Sequence, residues 1–264
     1  MQKFLMIAIL AMAPALAGCP VMQNQRTPVS EFQRTEPLGQ QKYWLYVPST
    51  YSASRNCPLV ITLHGTHGFD NSTSQIREWK SLAEDNGFIV AAPDLKSPQG
   101  ILPVAKNGRF KDLADDEQTI LNCLADVQKD YRIDPRAVLL TGFSAGGYAM
   151  YYVGLRHPDR FTALAARACN SDVEVFERIQ LTDQARNMPI IIIRGRDDLM
   201  PISQQSLAAY AWLRLHRCFN TVHYKIQGGH IRQPQIAWSQ WRKFLPKEYQ
   251  PAPRPTPTGM LLDD

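Results

Sequence analysis

The chemistry-bearing residue with the clearest setting in this chain is a serine framed by glycines. Gly142-Phe143-Ser144-Ala145-Gly146 follows an apolar run, residues 137–140, and precedes a segment with few polar side chains. A Gly-x-Ser-x-Gly pattern between strand and helix holds its serine on a sharp, strained turn at the end of the strand. The flanking positions must be small, and Gly142 and Gly146 fill them, while Gly147 lets the helix pack close to the sheet. A serine hydroxyl is a poor nucleophile at neutral pH, so it needs a base, usually histidine, held in turn by a carboxylate. Both partners are expected after later strands, in the order Ser, Asp, His. The apolar run Ile190-Ile191-Ile192-Ile193 leads into Arg194-Gly195-Arg196-Asp197-Asp198, where a Gly-x-x-Asp turn points to Asp198 as the acid. Further on, residues 222–226 end in Gln227-Gly228-Gly229-His230, a flexible turn that presents His230 as the base. The oxyanion of acyl transfer needs two N–H donors. Ala145, directly after the serine, supplies one. Thr66, after Leu63-His64-Gly65, is expected to supply the other, with Gly65 and His67 as alternatives. The chemistry implied is acyl transfer through a covalent acyl-enzyme at Ser144.

The elements that must position these groups alternate along the chain. Residues 42–47 are rich in β-formers and end at Pro48, and residues 58–65 form a nearly continuous apolar run, a buried central strand. Ile76, Trp79, Leu82 and Ala83 recur at helical spacing until Asn86-Gly87 stops the helix, and residues 88–93 read as another buried strand. Residues 96–114, with Pro98, Gly100, Pro103 and Gly108, read as a long loop. Asp115 then begins a helix, Gln118 placed for a capping box and Ile120, Leu124, Val127 and Tyr131 as the buried stripe. The helix after Ser144 stops at His157-Pro158. Strands are expected over 161–168 and 189–193, with 171–187 a small cap over the site between them. A helix over 203–216, a strand over 222–226 and a helix over 235–244 follow. This alternation gives a mostly parallel sheet with helices on both faces, and right-handed crossovers put the functional loops at its C-terminal edge.

With 264 residues the chain can bury one large core, and nothing in it marks a second domain. Its formal net charge is +5, but Lys and Arg are scattered without a basic run, which argues against a nucleic-acid partner. No glycine-rich phosphate loop is present. No Cys or His spacing suits a metal, so no cofactor is expected. His64, His67, His157, His216 and His223 read as structural, His64 beneath the oxyanion loop, and Trp44, Trp79, Trp212, Trp238 and Trp241 as packing residues. Cys57, Cys123, Cys169 and Cys218 allow several disulfide pairings and the sequence selects none. The oligomeric state is equally open.

Together, Leu63-His64-Gly65, Gly87-Phe88-Ile89-Val90 leading to Pro93, Asp134-Pro135-Arg136, Gly142-Phe143-Ser144-Ala145-Gly146-Gly147 and Gly228-Gly229-His230 resemble the α/β-hydrolases. The resemblance is to the secreted esterases that group polyhydroxybutyrate depolymerases with feruloyl and acetylxylan esterases, and it covers roughly residues 41–245. It implies the α/β-hydrolase fold, a Ser/Asp/His set and, as substrate, a carboxylic ester, small or polymeric. That family's spacing back from Pro201 favours Asp197 over Asp198, so the acid stays open between them. Two departures bear on the substrate: Lys106-Asn107-Gly108-Arg109-Phe110 stands where the family often carries Trp and Cys, and Ile231-Arg232-Gln233-Pro234 where it commonly has Trp-Pro. A serine peptidase of prolyl-oligopeptidase type and a non-catalytic binding module on the same fold are the competing readings.

At the N-terminus, Lys3, a short apolar stretch over residues 4–13 and Leu16-Ala17-Gly18-Cys19 read as a signal peptide. Leu-Ala-Gly-Cys resembles the lipobox of bacterial lipoproteins, which implies cleavage after Gly18 and lipidation of Cys19; simple secretion with a cut near Ala17 is the alternative. Pro20, rather than Asp, at the next position implies outer-membrane anchoring within the cell envelope. The expected organisation is a signal peptide over 1–18, a lipidated tether over 19–40, a catalytic domain over 41–249 and a proline-rich tail over 250–264.

Overall fold

A computed structural model describes residues 30–97 and 106–249. The leader, Cys19 and the proline-rich tail expected from the sequence lie outside the described residues. Eight strands form one sheet: β1 (Ser30–Thr35), β2 (Lys42–Val47), β3 (Cys57–Leu63), β4 (Ile89–Pro93), β5 (Ile133–Phe143), β6 (Ala163–Arg167), β7 (Ile190–Gly195) and β8 (Thr221–Ile226). Their spatial order is β1-β2-β4-β3-β5-β6-β7-β8. The first two strands join antiparallel at one edge, and the pairs from β4 through β8 are all parallel.

Period-two alternation in the central strands feeds two cores. Leu59, Ile61, Val138, Leu140, Ile190 and Ile192 face one side, with Val60, Leu139, Ile191 and Ile193 facing the other. On the first side pack α2 (Lys106–Asp130), α3 (Gly146–Arg156) and α6 (Met200–Leu215), through Leu124, Val153 and Leu213. The second side is covered by α1 (Ser72–Asn86) and α7 (Pro234–Trp241), through Trp79, Trp238 and Trp241. All four described cysteines are buried and unbridged, and act as small apolar residues.

Two sequence expectations change. The tether does not extend to residue 40. Residues 30–35 pair with β2 from Ser30↔Val47 to Thr35↔Lys42, and Phe32 packs against the core. An edge strand with one large apolar side chain carries little hydrophobic signal. Glu36 closes the turn after it, accepting backbone N–H bonds from Leu38 at 2.7 Å, Gly39 at 2.9 and 2.8 Å and Gln41 at 3.1 Å. Burial pushes its pKa up, but the bonds from Gly39, Gln41 and Leu38 outweigh it and hold the carboxyl below its ordinary value. Glu36→Gln is therefore expected to cost about 1–3 kcal/mol at pH 7. A depressed folded-state pKa stabilises above the unfolded value and stops doing so as pH falls through the folded one. Urea midpoints of mutant and wild type are expected to converge in acid.

The loop expected over 96–114 ends earlier, because α2 begins at Lys106. Leu113 is buried and extends the Ile120–Leu124–Val127 stripe by two turns. Asp115 is thus inside the helix rather than at its start. Neighbouring Asp116 receives the backbone N–H groups of Lys96 at 2.6 Å and Ser97 at 2.8 Å, anchoring the chain after β4.

The cap expected over 171–187 contains two short helices, α4 (Val173–Glu177) and α5 (Asp183–Asn187). Phe176 of α4 is buried between Tyr151 and Trp212, its ring stacked 4.6 Å from Trp212 and edge-on 5.1 Å from Tyr151. This anchors α4 to α3 and α6.

Candidate active site

Ser144 follows β5 with φ 50°, a left-handed conformation that a side chain-bearing residue adopts only at a cost. Backbone bonds hold it there. Its N–H donates to Arg167 O at 3.2 Å, and its carbonyl accepts from Gly147 at 3.0 Å and Asn170 at 2.8 Å. The turn leaves no room beside it. A Cβ on Gly146 would lie 2.5 Å from His64 O and 2.8 Å from Leu63 O. Gly146→Ala is accordingly expected to destabilise the fold by about 1–3 kcal/mol, measurable as a lowered urea midpoint.

Asp198 and His230 meet at the ends of β7 and β8. His230 Nδ1 lies 2.8 Å from Asp198 Oδ1, and the Asp198 side chain is fully buried. The same oxygen accepts the Leu199 N–H at 2.8 Å, while Oδ2 is buried without a partner. A carboxylate accepts only, so Nδ1 carries the proton and Nε2 is left as the basic nitrogen. Asp197 is exposed, and its backbone N–H donates to Gly228 O at 3.0 Å. This close pairing of the two loops requires Gly195, because a Cβ there would collide with the carbonyls of Gly228 and Gly229.

Phe143 links this pair to the serine. Its ring lies 4.9 Å from that of His230 and tilted by 35°. No hydrogen bond joins Ser144 to His230 among the described residues. Catalytic hydrogen bonds in free enzymes are often long and tighten when substrate binds.

On the other side of Ser144 lies the loop after β3. A Cβ on Gly65 would sit 3.1 Å from Ser144 Cβ, so this loop packs directly against the serine. The Gly65 N–H is already committed to Asp70 Oδ2 at 2.7 Å, which removes it as an oxyanion donor. Thr66 accepts from Phe69 at 3.1 Å and Asp70 at 3.0 Å, forming a turn, and the N–H groups of Thr66 and Ala145 have no acceptor among the described residues. His64 braces this loop from below. Buried, it accepts the Leu95 N–H on Nε2 at 3.0 Å and donates from Nδ1 to Gly65 O at 2.8 Å. Burial pushes its pKa down, keeping it neutral in that tautomer.

Sequence reading missed the ionic layer beneath the site. Arg167, fully buried at the end of β6, pairs with Glu78 and donates to Thr141 at 2.9 Å, Thr62 at 2.9 Å and Gln75 at 2.7 Å. A charged residue ending the apolar run Ala163-Leu164-Ala165-Ala166 was the available signal. Among the described residues no group of three His, Cys, Asp or Glu side chains is arranged to hold a metal ion. A cleft of about 660 Å³ at the opposite edge, between Tyr51, Arg55, Arg132 and Tyr249, contains no paired nucleophile and base.

Residues 38–252 match the family model described as "Putative esterase". The chain belongs to that family. It is 27% identical over 170 residues to the bifunctional acetylxylan esterase/xylanase XynS20E of Neocallimastix patriciarum, covering 64% of this chain and 23% of that protein. To feruloyl esterase B of Piromyces equi it is 29% identical over 152 residues, covering 57% of this chain and 28% of the relative. This esterase-family chain thus matches about a quarter of the length of each of these curated relatives. Among solved structures, a ferulic acid esterase from Anaeromyces mucronatus in complex with ferulic acid superposes with a TM-score of 0.59. It is 15% identical, covering 84% of this chain and 94% of that one. The shared architecture is the α/β-hydrolase fold.

Proposed function

We propose that this chain is a serine esterase that hydrolyses carboxylic esters through an acyl-enzyme at Ser144. The observation that carries the reading is the 2.8 Å Asp198–His230 pair seated against Phe143, the residue before the strained serine. Asp198 holds the imidazole in one tautomer, and His230 Nε2 accepts the Ser144 proton as Oγ attacks the ester carbonyl. Ala145 and Thr66 N–H groups receive the oxyanion. His230 then returns the proton to the leaving alcohol, and water deprotonated by the same nitrogen releases the acid.

The loops carrying these groups also expose Phe69, Leu199, Met200 and Ile231. That apolar rim favours esters with apolar or aromatic substituents. Acetylxylan and feruloyl esters, as named for the relatives, are the first candidates, with polyesters beside them.

Lipidation of Cys19 would hold the domain at a membrane in the cell envelope. Ser30 pairs with Val47 at the end of the sheet opposite Ser144, so a tether entering there leaves the site facing away from its attachment. Metabolic labelling with a palmitate analogue is expected, and is expected to vanish in Cys19→Ala.

Assaying the mature domain on p-nitrophenyl acetate and butyrate, feruloyl and acetyl-sugar esters, a polyester film and aminoacyl-nitroanilides tests the reading. Turnover of esters but not anilides is expected, with butyrate preferred to acetate. Anilide hydrolysis alone would overturn it.

A further inference from the structure

We infer that Arg232, two residues after His230, is a positioning residue that locks the loop of the base to the loop of the oxyanion. The inference rests on the esterase reading above. Its guanidinium makes three contacts, each to a different element around Ser144. Nη2 lies 2.8 Å from Asp70 Oδ1. Nε lies 3.3 Å from Glu78 Oε2 on α1. The flat face sits 4.9 Å from the centre of the Phe143 ring, which also packs against His230.

Asp70 is the centre of this arrangement. While one oxygen takes Arg232, the other takes Gly65 N–H at 2.7 Å and Gln75 Nε2 at 2.8 Å. Gly65 is the residue packed directly against the Ser144 side chain, and it immediately precedes Thr66. One side chain therefore fixes the oxyanion loop and the histidine loop relative to each other. From below, Arg167 donates to the Arg232 carbonyl at 3.4 Å and pairs with Glu78, so the backbone of the histidine loop is held too.

Charge balance argues against Arg232 as a substrate anion receptor. Two guanidinium groups, Arg167 and Arg232, face two carboxylates, Asp70 and Glu78, and the positive charge is already matched. A planar guanidinium suits this task, because Nη2 hydrogen-bonds Asp70 while Nε lies within ion-pair distance of Glu78 without a hydrogen bond. Lysine keeps the charge and loses the planar group. The next residue, Gln233, has φ 49°, a left-handed conformation that persists only where surrounding contacts determine it.

A group that aligns donors and base without touching substrate acts on the transition state more than on binding. Arg232→Ala is expected to lower kcat for p-nitrophenyl butyrate about 10- to 100-fold, the scale of a small misplacement of catalytic groups. KM is expected to stay within about threefold. Because the side chain is 37% exposed, guanidinium ion at tens of millimolar can reach the vacated site and is expected to restore part of kcat. Arg232→Lys, which preserves charge and fold, is expected to lose about tenfold in kcat without guanidinium rescue. Unchanged kcat in a folded Arg232→Lys or Arg232→Ala protein would overturn the inference, as would a loss confined to KM. Should Arg232→Ala not fold, the lysine variant decides. Wild-type protein unable to hydrolyse any ester would instead overturn the esterase reading, and this inference with it.

Discussion

Asp198→Asn is expected to lower kcat by about 10⁴-fold, while Asp197→Asn stays within about twofold of wild type. The two acids are adjacent in sequence and separated by environment. Asp198 is wholly buried with His230 Nδ1 at 2.8 Å; Asp197 is exposed to solvent. An amide at position 198 can turn its NH₂ toward Nδ1 and draw the proton to Nε2, which leaves the base nitrogen blocked. The same change at 197 removes only a solvated charge. Steady-state kinetics of the two variants on one p-nitrophenyl ester checks the difference. The larger loss at 197 would assign the acid the other way, and equal losses would contradict the separation.

Ser144→Ala is expected to reduce ester turnover at least about 10⁴-fold and leave folding intact. Alanine has the same backbone cost as serine at φ 50°, so unfolding midpoints should match. Ser144→Gly makes a sharper pair of outcomes. Glycine relieves the left-handed strain, so this variant is expected to be equally inactive yet more stable than wild type by about 1 kcal/mol. Strain held at one residue for the sake of its orientation predicts gain in stability with loss of turnover. A dead variant that is also destabilised would point to a structural role for the serine. Kinetics and urea denaturation on the same preparations separate the two.

Much of this arrangement was legible in the sequence because local signals and global topology agreed. Four β-branched residues in a short run closed by Gly195 mark Ile190-Ile191-Ile192-Ile193 as a buried strand, and glycines at 142, 146 and 195 mark close backbone approaches. Positions of Ser144 and His230 follow from strand ends. The acid was ambiguous because adjacent residues at a turn differ only in which one faces inward, and that depends on the Gly195–Gly228–Gly229 contact between distant segments. What could not be read were the features built from long-range pairs. Asp70 and Arg232 are 162 positions apart and each looks like a surface charge alone. The strand at Ser30–Thr35 has one large apolar residue and exists because β2 offers an unpaired edge. Lys106 starts a helix because Leu113 finds the core, which outweighs the loop signal of Gly108.

Intact-protein and peptide mass measurement after treatment with a fluorophosphonate tests the central claim most directly. In this reaction Ser144 Oγ forms a bond to phosphorus, fluoride leaves, and the hydroxyl proton passes to His230. The account predicts one adduct, on the peptide containing Ser144, lost in Ser144→Ala and strongly slowed in His230→Ala. An unmodified wild-type protein, or an adduct on any other residue, would contradict it.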